Sequence, residues 1–305
     1  MSGIVSITLN DLIRLKADAR GFSLLPRQPV GSLLAGRHAS RLRGRGLSFE
    51  ELRHYAQGDD IRTIDWKATA RLRQPYVRVY NEERERPVLF IVDQRSPMFF
   101  GSRRAMKSVV AAELAALGAW RTLASGDRVG GIVFSESQLV DLRPNRSQNQ
   151  VMRLLQEVTL FNQALALAPI ASGDITLNVA LEAASRRAVH DYLVVLISDL
   201  DGADQETQRH ATKIAAHNDM LVLGIYDPMG AQLQPLPGMV AESKGTRLRV
   251  PNHASFTSDF QQAFSRLIEH WRNVFRALRV PVLPITTAEP IVDQVRTLFG
   301  TRSLH

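Results

Sequence analysis

The chain has 305 residues and a formal net charge of +8 at pH 7. Its composition, 45% hydrophobic and 22% charged, is that of a globular protein and excludes a disordered, collagen-like or coiled-coil chain. The absence of cysteine from the sequence excludes disulfides, thiolate metal sites and cysteine nucleophiles, and it fits a reducing compartment.

The first residues are strongly basic. Residues 1–46 contain eight basic and two acidic residues, a net charge of +6, and the basic residues are densest over 37–45. Two interpretations stay open: a patch for nucleic acid or another acidic partner, and a solvated basic face. No aromatic residue lies between Phe22 and Phe49, so the stacking platform of single-strand binders is missing. We therefore do not expect nucleic acid to be the main partner.

The first predicted element is a short amphipathic helix over residues 8–20, because its leucines share one face and Gly21 follows as a stop signal. Asp11 interrupts this apolar stretch, and no small-residue cleavage site follows it, so we expect no signal peptide. The apolar runs elsewhere, such as Tyr192–Ile197, are far shorter than the about 20 residues that a membrane helix needs. We expect a cytoplasmic protein without a membrane span.

From residue 87 onward, apolar strands alternate with long helices. Buried strands are predicted over residues 87–93, 192–199 and 220–227, a hairpin over 127–136 and 138–142, and helices over 104–124, 149–161, 177–188, 205–217 and 256–278. This alternation predicts an α/β fold with a doubly wound, mostly parallel sheet, covered on both faces and carrying one antiparallel edge hairpin.

The remaining segments complete the expected division of the chain. Residues 247–250 are predicted to form a short edge strand, and a short helix is expected around 291–298. We expect an irregular basic amino-terminal extension over residues 1–86, the sheet domain over 87–280 and a tail over 281–305.

Aspartates follow the buried strands directly. Asp93, Asp199 and Asp227 each stand at such a strand end. Because the carboxyl ends of parallel strands line one crevice, we expect Asp93 and Asp199 to face one another. One interpretation is a divalent cation site with oxygen ligands, and the other is that each aspartate caps the turn that follows it.

The order strand, Asp93, long helix, hairpin, helix and LVVLISD resembles the von Willebrand factor A domain. That family's metal-ion-dependent adhesion site uses Asp-x-Ser-x-Ser after the first strand, a threonine before a later helix and an aspartate after a central strand. Carried over to this sequence, these positions are Asp93, Arg95, Pro97, Ile175 with Thr176 beside it, and Asp199. The resemblance therefore implies a degenerate site, in which apolar or cationic residues hold three of the five ligand positions.

A guanidinium beside two carboxylates is a poor setting for Mg²⁺, which requires near-octahedral oxygen coordination. We predict that Arg95 takes the place of the metal by pairing with Asp93 or Asp199, and we expect neither a metal nor another cofactor. The alternative, a weak Mg²⁺ site, would use the hydroxyls of Ser96 and Thr176 after a one-residue shift of the loop.

The segment before the sheet carries a more specific pattern. Its distinctive residues are Arg53, Tyr55, Gly58, Asp59, Asp60, Arg62, Asp65, Trp66, Arg71 and Glu83, which include the string GDDIRTIDW followed by AR. Over about residues 37–250 the chain resembles the DUF58 family, and it is similar to the short members that lack two amino-terminal membrane helices.

The charges of this signature segment alternate in sign, which favours intramolecular ion pairs, and Trp66 and Tyr55 are expected to be anchors. Three interpretations stay open: a folding clamp, a partner-docking surface, and a carboxylate cluster of Asp59, Asp60 and Asp65 for metal-assisted hydrolysis. The sequence has no G-x-x-x-x-G-K-[ST] motif, so we expect no nucleotide site of that kind.

The resemblance also implies a function. Members of the DUF58 family are commonly encoded beside MoxR-type AAA+ ATPases, which implies a non-enzymatic interaction or adaptor protein in the assembly or maturation of client proteins. The alternatives are a nucleic-acid-binding protein that uses the basic amino-terminal stretch and a metal-dependent hydrolase.

Overall fold

The computed structural model describes residues 3–22, 24, 47–56, 59–82, 85–167, 173–231, 238–243, 246–251 and 253–299. The chain divides into two compact units, a smaller one of residues 34–85 and a larger one that joins residues 1–33 to residues 86–305. This division differs from the expected one, because the amino-terminal helix and the expected tail both belong to the larger unit.

The strands are β1 (Leu47–His54), β2 (Tyr76–Glu82), β3 (Pro87–Asp93), β4 (Arg128–Phe134), β5 (Leu139–Asn145), β6 (Leu193–Ser198), β7 (Asp219–Tyr226), β8 (Val240–Ser243), β9 (Thr246–Arg249) and β10 (Val282–Thr286). The helices are α1 (Leu9–Arg14), α2 (Trp66–Leu72), α3 (Lys107–Ala124), α4 (Gln148–Leu167), α5 (Leu177–Arg187), α6 (Gln205–Ala215), α7 (Pro228–Ala231), α8 (Ala254–Ala277) and α9 (Ile291–Phe299).

The larger unit is built on a six-stranded sheet with the spatial order β10-β7-β6-β3-β4-β5. All neighbouring strands are parallel except β5, which pairs antiparallel with β4. The predicted doubly wound α/β fold with one antiparallel edge hairpin is therefore confirmed. The strand order reverses between β3 and β6, the position at which such sheets bind ligands.

Helices cover both faces of this sheet. In β3, Val88, Phe90 and Val92 pack on one side with α1, α3, α4 and α9, whereas Leu89 and Ile91 pack on the other with α5, α6 and α8. Both sets are apolar because a central parallel strand is buried on its two faces, which also explains its uninterrupted apolar sequence.

The amino-terminal helix is shorter than predicted, since α1 ends at Arg14. The backbone N–H of Lys16 and that of Ala17 each donate to the carbonyl three residues earlier, so the chain tightens into turns instead of continuing the helix. Leu12 is fully buried, and its carbonyl accepts a hydrogen bond of 3.2 Å from the indole of Trp120 in α3. These contacts make the first helix part of the sheet unit.

The carboxyl-terminal segment also enters the sheet. Residues 282–286, expected as part of a tail, form the parallel edge strand β10 beside β7. The following helix α9, predicted around 291–298, buries Ile291, Val295 and Phe299 on the sheet. In contrast, residues 247–250 do not give an edge strand of the main sheet, because β9 pairs with β8 in a separate two-stranded sheet.

The described part of the smaller unit contains a β-hairpin with a helix in its connection. Strands β1 and β2 pair antiparallel, and α2 is tied to β2 by two hydrogen bonds, from the Asp65 N–H to the Tyr76 carbonyl (2.8 Å) and from the Tyr76 N–H to Thr69 Oγ1 (3.1 Å). The densest part of the basic stretch, residues 37–45, lies outside the described residues. Across the residues that are described, no helix is long and apolar enough to cross a membrane.

Candidate interaction sites at the strand ends and in the signature segment

The crevice at the carboxyl ends of β3 and β6 is occupied by a guanidinium. Arg95 donates to Asp93 through Nε (3.0 Å to Oδ1) and Nη2 (2.7 Å to Oδ2), a bidentate pair in which Asp93 is fully buried and Arg95 is 7% exposed. Asp93 also accepts from the Arg95 backbone N–H (3.1 Å) and from Ser198 Oγ (2.7 Å). Of the two carboxylates expected as partners of Arg95, Asp93 is therefore the one that forms the ion pair.

Asp199 has a different cation. Its carboxylate pairs with Lys107, the first residue of α3, and the two side chains are 8% and 14% exposed. Arg95 reaches the same loop by donating from Nη2 to the Asp201 carbonyl (3.0 Å), and its guanidinium carbon lies 5.4 Å from the ring centre of Phe134. Each strand-end carboxylate at the reversal point is thus matched by one cation of the chain itself.

Burial and charge oppose each other in this pair. Burial raises the pKa of Asp93, while the guanidinium of Arg95 and the hydroxyl of Ser198 act to lower it. Burial by itself would lower the pKa of Arg95, but the neighbouring carboxylates, Asp93 first among them, raise it above its ordinary value. Arg95 therefore stays charged at every physiological pH, and removing it would leave a buried carboxylate without a charged partner.

The other positions of the degenerate motif do not supply a ligand set. Pro97 lies in a one-turn 3₁₀ helix, Ser96–Met98, and the hydroxyl of Thr176 caps α5 by accepting from the Val179 N–H (3.4 Å). Ser96 Oγ is buried and has no hydrogen-bond partner. No group of three or more His, Asp or Glu residues that could hold a metal occurs in the described parts of the chain. With both strand-end carboxylates engaged by cations, the residues present do not fit Mg²⁺.

Asp227, at the end of β7, has a structural role. Its carboxylate accepts from the N–H of Ser102 (2.8 Å), the hydroxyl of Ser102 (2.5 Å), the N–H of Met229 (2.9 Å) and the hydroxyl of Thr287. Burial would raise the pKa of Asp227, yet the hydrogen bonds from Ser102 and Thr287 lower it below its ordinary value. This aspartate ties three loops together at one edge of the crevice.

In the signature segment, Asp59 and Asp60 both bind the local backbone, and Asp59 also pairs with an arginine. Asp59 pairs bidentately with Arg53 (2.7 and 2.8 Å) and accepts from the Ala56 N–H (2.8 Å), and the hydrogen bond from Arg53 is the main reason that the pKa of Asp59 is lowered. Asp60 caps the 3₁₀ turn Ile61–Thr63 by accepting from the Arg62 N–H (2.9 Å).

Asp65 is the N-cap of α2. Its side chain accepts from the N–H groups of Lys67 and Ala68, both at 3.0 Å. An aspartate before a helix is the expected sequence signal for this role. With Asp59 and Asp60 held elsewhere, the structure does not gather the three aspartates into the metal-binding cluster considered above.

The ion pairs expected in this segment are found in part, because Arg53 pairs with Asp59 while Arg62 and Arg71 make no side-chain ion pair with the described residues. Trp66, the first residue of α2, is 70% exposed, so the expectation that it is an anchor is wrong. Tyr55 is half-buried, and its N–H donates to the Pro75 carbonyl (2.8 Å). Two further signature positions, Gly58 and Glu83, lie outside the described residues.

Lys107 is a residue of the crevice that the sequence patterns did not predict. It lies 92 residues from Asp199 in the chain, so no local motif joins them. The available signal was its position, since a lysine that opens the helix after the first strand of a doubly wound sheet lies at the same crevice.

Comparison with known proteins points to the same family as the residues of the signature segment. The family described as "Protein of unknown function DUF58" matches residues 51–267. The uncharacterized proteins Rv1480 of Mycobacterium tuberculosis and Mb1516 of Mycobacterium bovis are each 26% identical over 295 residues, covering 95% of this chain and 90% of theirs. Among solved structures, a von Willebrand factor type A protein from Catenulispora acidiphila matches with a TM-score of 0.36 and 11% identity, over 73% of this chain and 42% of that one. With the family match spanning well over half of its length, the chain belongs to the DUF58 family.

Proposed function

We propose that this protein is a non-enzymatic interaction protein that works with a MoxR-type AAA+ ATPase in the assembly or maturation of client proteins. The observation that carries the proposal is that the carboxylates of the crevice are already paired with cations. At the reversal point of the sheet, where doubly wound proteins bind their ligands, Asp93 and Asp199 are each neutralised by a cation of the same chain.

The engaged carboxylates argue against hydrolytic chemistry at this place. A general base needs a free, basic lone pair, and a catalytic metal needs open oxygen ligands. Asp93 has its lone pairs occupied by Arg95 and Ser198, and Asp199 accepts from Lys107 and from the Asp201 N–H (3.0 Å). The crevice is therefore suited to holding the loops in place.

The proposed partner comes from the DUF58 resemblance and fits the chemistry of the chain. The sequence lacks a Walker-type phosphate loop, so any work on client proteins would draw its energy from another protein. An interaction protein with a rigid sheet and an exposed, charged signature segment is suited to link such an ATPase to its clients.

The test mixes the purified full-length chain with the MoxR-type ATPase encoded in the same genome. We expect the two proteins to co-elute in size-exclusion chromatography, and we expect the ATPase rate to change when the chain is added. No co-elution together with an unchanged rate, at concentrations well above those in the cell, would contradict the proposal. Turnover of a phosphoester by the purified chain alone would contradict its non-enzymatic part.

A further inference from the structure

The outward side of helix α2 is an exposed surface with an aromatic side chain and two cations. Trp66, Lys67, Ala70 and Arg71 are all exposed, whereas Ala68 and the neighbouring Thr69 are half-buried toward the hairpin. A spacing of four residues places Trp66 beside Ala70 and Lys67 beside Arg71 along the helix. We call these four exposed residues the α2 face.

The cations of the α2 face have no anionic partner among the described residues. No ion pair is formed there by the Lys67 or Arg71 side chain. The nearby aspartates are already engaged, because Asp59 holds Arg53 and Asp65 caps the helix through backbone N–H groups. The α2 face is therefore positively charged in the part of the chain that the structure describes.

The arrangement of these cations disfavours the isolated helix. Lys67 lies in the first turn of α2, where the helix dipole favours negative charge. Lys67 and Arg71 also have the same sign at a separation of four residues, which is destabilising for a helix. An anionic group bound between the two side chains would relieve the repulsion between them.

The exposed indole of Trp66 indicates what the partner would carry besides negative charge. Trp66 exposes 70% of its surface, and tryptophan and arginine are the residues that most often dominate the binding energy of protein interfaces. Ala70, one turn along, leaves space beside the ring for an apolar side chain. Nucleic acid fits less well, because Trp66 is the only aromatic residue in the sequence 59–73 and stacking of successive bases uses several rings.

We propose that the α2 face binds an acidic segment of a partner protein, with its carboxylates on Lys67 and Arg71 and an apolar side chain against Trp66. The proposal rests on the proposed function in one respect, that the partner is a protein. Neither the ATPase nor any particular client is needed for it.

The experiment selects peptides from a random-peptide phage library on the full-length chain and measures binding of the enriched peptides by fluorescence anisotropy. We expect the selected peptides to carry net negative charge and at least one large apolar residue. The double variant Lys67→Glu with Arg71→Glu should weaken their binding by more than tenfold, and Trp66→Ser should do so by about tenfold, as for a central interface residue. The matched control, Arg153→Glu with Lys213→Glu, reverses two exposed charges on α4 and α6 and should change binding by less than about twofold.

Three results would overturn the inference. The first is enrichment of peptides without acidic residues, and the second is enrichment of acidic peptides that bind the Lys67→Glu, Arg71→Glu variant as tightly as the wild type. The third is tighter binding of a labelled poly(dT) oligonucleotide than of any selected peptide, lost in the same variant, which would make this a nucleic-acid surface. Circular dichroism checks that each variant is folded, and the charge-reversal pair keeps the test valid if Trp66→Ser does not fold.

Failure of the ATPase to associate would refute the proposed partnership while leaving peptide binding at the α2 face intact, so the two proposals fail separately.

Discussion

The strand ends of the larger unit and the α2 face of the smaller unit use charge in opposite ways. At the strand ends, Arg95 and Lys107 are almost fully buried, and each is paired with a carboxylate. On the α2 face, Lys67 and Arg71 are exposed, and the aspartates near them are bound to other groups. The same residue types therefore stabilise the fold in one place and are available to a partner in the other.

The difference shows that the presence of alternating charges does not by itself predict ion pairs. Asp60 and Asp65 accept from backbone N–H groups at helix starts, where aspartate is a preferred residue, and neither pairs with Lys67 or Arg71. Asp93 has no helix start to cap and is buried, so it requires a charged donor such as Arg95. Burial therefore makes a charged partner necessary for Asp93, whereas exposed charges pair in some places, as Arg53 does with Asp59, and not in others.

The largest expected loss of stability follows from replacing Arg95. Replacing Arg95 with alanine leaves Asp93 buried without its cation, and breaking a buried pair in this way costs about 4 kcal/mol of unfolding free energy. The fluorescence of Trp120 and Trp271, both buried in the larger unit, reports its unfolding in urea. A loss below about 1 kcal/mol would show that the pair contributes little to the fold.

This loss should depend on pH. Without Arg95 the folded-state pKa of Asp93 rises further above its unfolded value of about 3.9, because burial already raises it and the opposing guanidinium is gone. A raised carboxyl pKa destabilises the folded state above that pKa, and the penalty disappears as the pH falls toward the unfolded value. The deficit of the variant should therefore be larger at pH 8 than at pH 5. An equal deficit at both values would contradict the explanation.

The second-largest expected loss of stability follows from replacing Lys107. We expect Lys107→Met to lower the unfolding free energy of the larger unit by about 2 kcal/mol, because it keeps the aliphatic packing but leaves Asp199 without its charged donor. The same tryptophan fluorescence measures it. The control is Lys213→Met on α6, an exposed lysine whose replacement should change stability by less than about 0.5 kcal/mol.

A small effect of opposite sign is expected on the α2 face. Lys67→Glu places an acidic residue in the first turn of α2 and four residues before Arg71, so it should stabilise the helix by about 0.5 kcal/mol while weakening partner binding. Slower hydrogen exchange of the α2 amides measures the stabilisation, and Lys67→Ala is the neutral comparison. Faster exchange in the glutamate variant would indicate that Lys67 already has a stabilising partner.

The smallest expected effect is that of Mg²⁺. Both strand-end carboxylates are paired with cations. The wild-type chain should therefore have the same melting temperature in millimolar Mg²⁺ as in NaCl of equal ionic strength. A rise that Asp93→Asn removes would mean that the ion displaces Arg95.

Sequence patterns predicted the fold well where elements are long and apolar. The uninterrupted runs of β3 and β6 and the periodic helices between them were sufficient for the doubly wound sheet. The edge strand β10 was missed because it has five residues and contains Pro284, which is typical of a strand edge and gives a weak signal. The short helix α1 was overestimated because turns continue its apolar pattern past Arg14.

The candidate sites were predictable only in part. Arg95 and Asp93 are two residues apart, so their bidentate pair follows from local sequence and burial. The pair of Lys107 and Asp199 depends on the packing of α3 against the sheet, which no local spacing encodes. The exposure of Trp66 was not predictable, because a tryptophan is buried more often than not and only the geometry of α2 on the hairpin turns this one outward.

The most direct test of the account is a double-mutant cycle on Asp93 and Arg95, with urea unfolding of the wild type, Asp93→Asn, Arg95→Ala and the double variant. If the guanidinium is the structural partner of the buried carboxylate, each single change is strongly destabilising, the double variant recovers much of the loss, and the coupling energy is about 3 kcal/mol. Additive effects, with a coupling below about 0.5 kcal/mol, would contradict the claim that the chain's own cations hold the crevice together.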